Sequence, residues 1–256
     1  MGRWTVFPHA GEYSFDAASL EKLWTPLHAG DMEPLPEDPA VLQAWALFHS
    51  GDFQHAAEAG LRAGGAGITV ANKATAVYAN YLERKEQRKL ELLMEVVERA
   101  QAQAAHDPKN PNAWFCQGFA LGRYSQGISV AKALAQGLGG RVKEALERAL
   151  ELQPRHAEAH IALGAFHAEV IDKVGRLIGG MTYGAKKETG LKLFQEALRL
   201  NPGSPIAMIE YANGLLMLEG EDKMAEATRL YKQAAACKPA DATERLEVEL
   251  AKAELQ

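Results

Sequence analysis

The sequence predicts an all-α solenoid of antiparallel helix pairs, and two observations carry this prediction. Alanine is plentiful while runs of β-branched residues are scarce, a composition that favours helices over strands. One helix-turn-helix pattern also recurs between residues 112 and 241, in three copies that start and close at comparable residues. The starts are Trp114, His160 and Met208, and the closing prolines are Pro154, Pro202 and Pro239.

Each copy combines large and small side chains at helical spacing. In the second helix of the first copy, Val142, Leu146 and Ala149 are followed by Pro154. Residues three and four apart share one face of a helix, so this spacing predicts an apolar stripe. A small residue on the stripe lets the paired helix approach closely. The proline ends the helix, because the residue before it is displaced from the helical conformation.

This pattern resembles the tetratricopeptide repeat (TPR) family, whose unit of about 34 residues has the consensus W-x2-L-G-x2-Y, then A-x3-F-x2-A-x4-P. The second helices match well, whereas in the first helices Gln117 replaces leucine and His167 replaces tyrosine. Residues 51–57 and 76–108 look like two further, more divergent copies. The resemblance implies a right-handed superhelical solenoid in which the first helices line a concave groove.

Two of the three copies contain insertions. The chain runs 21 residues from Leu121 to Val142 and 23 residues from His167 to Gly190. Apolar residues at helical spacing within both insertions predict extended first helices in the central repeats, ended by the pairs Gly139–Gly140 and Gly179–Gly180. Long-helix variants of this kind are similar to the group that holds regulator-of-microtubule-dynamics proteins and TPR-like proteins associated with TRAP transporters.

Residues 1–39 differ from the repeats and are predicted to form an N-terminal arm or cap with one short helix. Five of the eleven prolines lie in this segment, and Leu20, Leu23, Trp24 and Leu27 would share one face of the helix. Two interpretations stay open. The segment caps the apolar flank of the first repeat, as the ends of solenoids require, or it is an arm that regulates the groove or contacts a partner.

The repeat domain is predicted to span residues 40–241, followed by a capping helix at residues 242–256. Residues 40–67 should form the first helical pair, with a glycine-rich end from Gly60 to Gly67. Residues 69–106 contain no proline and should form the next helices. The charged run from Glu83 to Arg88 is typical of a solvated helix face.

Charge and cysteine usage exclude several classes of protein. The net charge of −5 resides in residues 1–50, and the remaining chain balances at 26 acidic and 26 basic residues, so a nucleic-acid-binding protein is not expected. There is no apolar run of about 18 residues, so membrane insertion is not expected either. The start lacks the apolar core of a signal peptide. Cys116 and Cys237 lie in different copies, and this usage predicts a reducing, cytoplasmic location.

Three groups of residues contain side chains that occur in catalytic, phosphate-binding or metal-binding sites. The glycine-rich segment 179–186 lacks the Gly-Lys-Ser/Thr ending of a phosphate-binding loop and predicts a corner between helices. His156 and His160 could share a metal on one helix face, but the zinc-protease spacing is absent, and core or turn histidines are the favoured interpretation. Cys116 and Ser125 lack a nucleophile elbow. The sequence therefore predicts no enzyme, with no catalytic residue, no metal and no cofactor.

The leading functional hypothesis is a non-catalytic scaffold that binds a peptide or a partner helix in an apolar groove. The groove residues that the TPR resemblance implies, with three from the glycine-rich corner, are Phe115, Phe119, Arg123, Ile161, Glu169, Ile209, Asn213, Met217, Tyr183, Lys186 and Lys187. The alternative is a carrier of a small apolar ligand, held in a pocket formed by the long helices. The groove could also be filled by the arm or the long helices. The identity of the protein or peptide partner and the oligomeric state stay open.

Overall fold

The structure, a computed structural model, describes residues 3–256. Within this range the chain forms fourteen α-helices and no strand, which confirms the all-α prediction. The helices are α1 (Ala17–Leu27), α2 (Pro39–His49), α3 (Phe53–Ala63), α4 (Gly67–Val77), α5 (Glu86–His106), α6 (Pro111–Gln126), α7 (Val130–Ala135), α8 (Leu138–Leu152), α9 (Ala157–Val174), α10 (Arg176–Tyr183), α11 (Lys187–Leu200), α12 (Pro205–Glu219), α13 (Met224–Ala235) and α14 (Ala242–Ala253).

Five helix pairs follow one another along the chain: α2 with α3, α4 with α5, α6 with α8, α9 with α11, and α12 with α13. In three of these pairs the first helix begins in the same way, with a capping side chain followed by a proline. Proline has no N–H group, so it leaves no donor unpaired in the first turn. The side chains of Asp38, Asn110 and Ser204 accept hydrogen bonds from backbone N–H groups at the starts of α2, α6 and α12. At the start of α9, His156 takes this role through its ring.

The small residues of the repeat pattern allow helices to pack tightly around a large one. The Phe194 ring on α11 is fully buried between α9 and α12. A Cβ atom added at Gly164 would lie 3.0 Å from this ring, and one added at Gly214 would lie 2.3 Å from it. The glycines therefore provide the space that the phenylalanine occupies.

Substitution Gly214→Ala should lower the free energy of unfolding by about 1–3 kcal/mol, because the added methyl group forces the buried Phe194 ring to move. Urea unfolding followed by circular dichroism measures the change. Gly203→Ala is the matched control, since a Cβ atom at Gly203 meets nothing within 4 Å. An unchanged midpoint for Gly214→Ala would show that this contact does not limit the packing.

The first helices close into a ring. Helices α2, α4, α6, α9, α12 and α14 contact one another in that order, and α14 returns to contact α2. At this joint, His49 Nδ1 lies 2.6 Å from Asp241 Oδ2, and both side chains are buried. Arg245 on α14 also forms an ion pair with Glu12, at 3.3 Å. We call the helices of this ring the inner helices.

The segment before α1 lies against the first helical pairs and reaches the joint. The Trp4 ring stacks on Tyr78 with centroids 4.2 Å apart. Phe7 packs edge-on against Phe53. The Phe7 ring and Ala242, at the start of α14, are the nearest neighbours of Gly51, so these two side chains lie close to each other. The segment therefore covers apolar surface on the first pairs and also contributes to ring closure.

The insertions correct one detail of the sequence interpretation. The first helices α6 and α9 are the longest inner helices, at 16 and 18 residues, but the glycine pairs do not end them. Gly139 and Gly140 lie in the first turn of α8, and Gly179 and Gly180 lie inside α10. The breaks occur earlier, at Gly127 after α6 and at Gly175 after α9, where φ is +81°. Much of each insertion thus forms a short separate helix.

Among the residues that the structure describes, no helix has the length and apolar character needed to cross a lipid bilayer.

Candidate functional site

The ring of inner helices surrounds a cavity of about 260 Å³. All six inner helices contribute side chains to its wall, together with α7, α8 and the loop after α1. One part of the wall is apolar and is formed mainly by α6 to α9. Its residues include Phe119, Leu134, Val142, Ile161, Ala165 and Val170. A concave space with mostly apolar walls and a few polar groups is typical of a binding site for a small molecule.

At the polar end of the cavity, Lys73 joins two carboxylates. Its Nζ atom lies 2.5 Å from Asp31 Oδ2 and 2.9 Å from Glu158 Oε2. Burial alone would raise the pKa of Asp31, but the charges of Lys73 and His28 bring that pKa well below its usual range. Asp31 is therefore ionised, and Lys73, itself 11% exposed, holds its charge in place.

Asn112 and His156 extend this network behind the wall. The Asn112 amide donates to the backbone oxygen of Asp31 at 3.1 Å and to Glu33 Oε2 at 2.6 Å. Its Oδ1 atom accepts from His156 Nε2 at 2.9 Å, while His156 Nδ1 accepts from the Ala159 N–H at 3.1 Å. These partners require the neutral imidazole with its proton on Nε2. Burial lowers the pKa of His156 to about 3, which agrees with this assignment.

A second cation spans the cavity from α6 to α12. Arg123 Nη2 donates to Glu210 Oε1 at 2.6 Å, and the guanidinium lies over the Phe119 ring, 5.3 Å from its centroid. Burial lowers the pKa of the guanidinium, but the Glu210 carboxylate more than offsets this and leaves the pKa above its usual range. Arg123 therefore stays charged at any pH at which the protein is folded.

Two buried imidazoles connect the cavity to the ring joint. His28 Nδ1 lies 2.9 Å from Asp31 Oδ1, and the Nε2 atoms of His28 and His49 lie 3.3 Å apart. Such a contact requires a proton on one of the two Nε2 atoms. Because His49 also contacts Asp241, the two rings link the carboxylates of Asp31 and Asp241 in one chain of hydrogen bonds.

The structure brings six of the predicted groove residues to the cavity wall. These are Phe115, Phe119, Arg123, Ile161, Glu169 and Tyr183. They come from α6, from α9 and from the end of α10. In the first two copies, the residues that the TPR resemblance assigns to the concave side therefore face the cavity. Their role in binding stays a prediction.

Five predicted residues lie elsewhere. Ile209 is buried in a separate core cluster around Phe194, and Asn213 accepts a hydrogen bond from the Tyr231 hydroxyl. Helix α12 instead presents Ile206 and Glu210 to the cavity. The other three lie outside the cavity wall: Met217, which is 38% exposed, Lys186, which is exposed, and Lys187, which pairs with Glu219 at 2.7 Å.

Lys73, Asp31 and Glu247 line the cavity, but the sequence interpretation did not single them out. One signal was available for Lys73. It is the only charged residue in α4, whose sequence GITVANKATAV is otherwise apolar or small and neutral, and a lone charge on such a helix indicates a buried partner. The carboxylates gave no such signal, since they lie among many surface acids.

The histidines and cysteines considered for chemistry have structural partners. His160 Nε2 lies 2.9 Å from the backbone oxygen of Pro154, and residues 3–256 contain no group of three side chains arranged to hold a metal. Burial raises the pKa of the Cys116 thiol to about 12, so the thiolate that a nucleophile needs is not formed. The segment from Gly179 to Tyr183 is helical and does not form a phosphate-binding loop.

Comparison with known proteins gives a family match and several similar structures. The family model described as regulator of microtubule dynamics protein 1-3 matches residues 68–256, about three quarters of the chain. A thermophilic TPR protein from Thermus thermophilus aligns with a TM-score of 0.59 and 17% identity, over 84% of this chain and 97% of that one. A monomeric IFIT1 mutant solved with Gppp-AAAA aligns with a TM-score of 0.45 and 15% identity, over 89% of this chain and 56% of that one. No curated protein sequence matches the chain.

Proposed function

This chain belongs to the regulator of microtubule dynamics protein 1-3 family, and from that premise we propose that it is a non-catalytic binding scaffold whose ligand occupies the cavity inside the ring. One observation carries the proposal: six inner helices close around a space of about 260 Å³ that has an apolar wall on one side and fixed charges on the other. The TPR-like fold supports a role in binding, because repeat arrays of this kind present an extended concave surface.

The closed arrangement of the inner helices favours a small ligand over a partner helix. A partner helix binds by laying its apolar face into a groove, whereas here the inner helices form a ring because α14 contacts α2. A molecule with an apolar body fits between α6 and α9, where the wall is formed by aromatic and aliphatic side chains. We therefore propose, more specifically, that the protein carries a small ligand of this kind.

A protein partner remains the second candidate, on a different surface. Helix α10 exposes Leu177, Ile178 and Met181, whose exposed fractions are 75%, 57% and 81%. A cluster of exposed apolar side chains on one short helix is unusual for a surface without a partner. The corner residue Tyr183 ends this helix, and Lys186 and Lys187 follow it, so all three would border such a contact.

Filling the cavity tests the first proposal. In Ala165→Phe, the larger side chain enters the space beside Ile161 and Val170, whereas in the control Ala102→Phe it lies on the exposed face of α5. Native mass spectrometry of each protein, purified without detergent, measures the mass of any bound molecule. We expect a bound small molecule in the wild type and the control, and its loss in Ala165→Phe.

Equal occupancy in all three proteins would place the ligand outside the cavity. If all three are free of small molecules while binding a protein through α10, the second candidate would replace the first. Removing the exposed side chains with Leu177→Ser and Met181→Ser should then abolish that interaction.

A further inference from the structure

Each of the two cations that line the central part of the cavity is held in the same way. Lys73 contacts the carboxylates of Asp31 and Glu158, and its Nζ atom lies over the Phe115 ring, 5.6 Å from the centroid. Arg123 repeats this arrangement with Glu210 and the Phe119 ring. At Lys73 and Arg123 the wall thus combines carboxylates with an aromatic face, a combination that stabilises cations away from water.

A third group of carboxylates on the same wall has no cation. Glu244 and Glu247 lie on the inner face of α14 and line the cavity. Glu247 is 7% exposed and forms no ion pair with any residue that the structure describes. The charged groups that act on it most strongly, Glu244, Asp241 and Glu158, are all acidic.

The surroundings of Glu247 contain the remaining parts of a cation site. The Tyr81 side chain lines the same cavity, and burial together with the Glu247 carboxylate raises the pKa of its hydroxyl. The Thr243 hydroxyl, also on the wall, is buried without a hydrogen-bond partner. Arg245 on the same helix pairs with Glu12 and Glu249 instead. An aromatic side chain, two carboxyl groups and a hydroxyl without a partner therefore line the same cavity, and in the part of the chain that the structure describes no cationic side chain pairs with either carboxyl group.

We propose that the cavity binds an organic cation, a small amine whose ammonium group lies between Glu244, Glu247 and Tyr81 and whose apolar body extends along the wall toward Phe119 and Val142. The inference rests on the proposed function, since it names the class of ligand for the same cavity. An ammonium group would complete the pattern that Lys73 and Arg123 already show. An anionic ligand would instead have to bind beside the carboxyl groups of Glu244, Glu247, Asp241 and Glu158.

Protonation gives an independent signature. Burial, together with the neighbouring acids, raises the pKa of Glu247 well above its usual range, and burial raises that of Glu244 to about 7. Without a ligand, these groups hold protons at neutral pH. A bound ammonium favours the charged carboxylates, so binding should release protons to the buffer. Calorimetry in two buffers of different ionisation enthalpy measures this release.

Three probes with the same apolar body separate charge from size: octylammonium, 1-octanol and octanoate. By isothermal titration calorimetry, the full-length protein should bind octylammonium at least about tenfold more tightly than 1-octanol, with octanoate the weakest. Glu247→Gln should weaken octylammonium binding by about tenfold and remove most of the proton release, while the uncharged 1-octanol should lose much less affinity. Glu254→Gln, an exposed acid at the end of α14, should change neither.

The outcomes distinguish this inference from the proposed function. If 1-octanol and octanoate bind as tightly as octylammonium, the cavity accepts apolar ligands but the cation site is wrong. If no probe binds, both are wrong. Glutamine has nearly the shape of glutamate, and it removes a buried carboxyl without a counterion, so the variant should fold. Circular dichroism checks this, and Glu244→Gln provides a second variant with the same expected loss.

Discussion

Substitution Lys73→Met should lower the free energy of unfolding by about 3–5 kcal/mol at neutral pH, the range found when one partner of a buried ion pair is removed. Lys73 holds Asp31, which is 3% exposed, and also contacts Glu158. Without the ammonium group, Asp31 keeps only His28 and backbone partners, and its charge becomes costly to bury. Urea unfolding at pH 7 measures the change.

Two controls make the Lys73 experiment specific. Lys109→Met removes an exposed lysine from the turn before α6 and should change stability by less than about 0.5 kcal/mol. The double variant Lys73→Met with Asp31→Asn should recover part of the loss, because the unpaired charge is removed with its partner. Equal stability of Lys73→Met and wild type would mean that water, and not the lysine, supports the carboxylates.

Acidification should destabilise the protein through His156. The unfolded chain takes up a proton near the ordinary histidine pKa of about 6.5, whereas burial keeps the folded imidazole neutral down to about 3. Between these values the unfolded state binds more protons, so stability falls as the pH falls. This one group should account for a loss of about 3 kcal/mol between pH 7 and pH 4.

His156→Asn isolates this contribution. Asparagine is a good capping residue and can still accept from the Ala159 N–H, but it does not titrate. We expect the variant to be less stable at pH 7, where the bond to Asn112 is lost, and to lose less of its stability on acidification. His28 and His167, whose pKa values burial lowers, act in the same direction in both proteins and cancel in the comparison. Parallel pH profiles for variant and wild type would contradict the assignment.

Other buried groups make the stability of the folded protein fall as the pH rises above about 5. Burial, aided by Asp31, raises the pKa of Glu33 to about 8, and burial raises that of Glu244 to about 7. Above the ordinary glutamate pKa, the unfolded chain has released these protons, whereas the folded protein still holds them. The contribution of Glu33 and Glu244 to stability is therefore lost as the pH rises toward their raised pKa values. The pH of greatest stability should therefore lie on the acidic side of neutrality.

The repeat pattern was sufficient to predict the helical class and the pairing. Spacing such as Val142, Leu146 and Ala149 reports which face of a helix is buried, and all three are buried in the structure. The glycine pairs misled the prediction of the insertions. Gly175 ends α9 with a positive φ, whereas Gly127 ends α6 with a negative one, and the sequence does not show which of several nearby glycines will end a helix.

The cavity could be predicted only in part, for a related reason. The resemblance placed Phe119 and Arg123 correctly on the concave side, since residues of one helix keep their relative phase. The contacts between Lys73 and Glu158, or between His49 and Asp241, join residues 85 and 192 positions apart. Such pairs depend on how far the solenoid curves before α14 meets α2, and the curvature arises from small rotations at every helix contact.

The joint between α14 and α2 has a consequence for how the protein unfolds. A linear array of repeats can fray from either end, one unit at a time, because each unit contacts only its neighbours. Here the terminal units brace each other, so neither can detach until the buried contact between His49 and Asp241 is broken. The array should therefore melt in a single cooperative transition, and it should fold more slowly than an open array of equal length, because closing so long a loop is entropically costly.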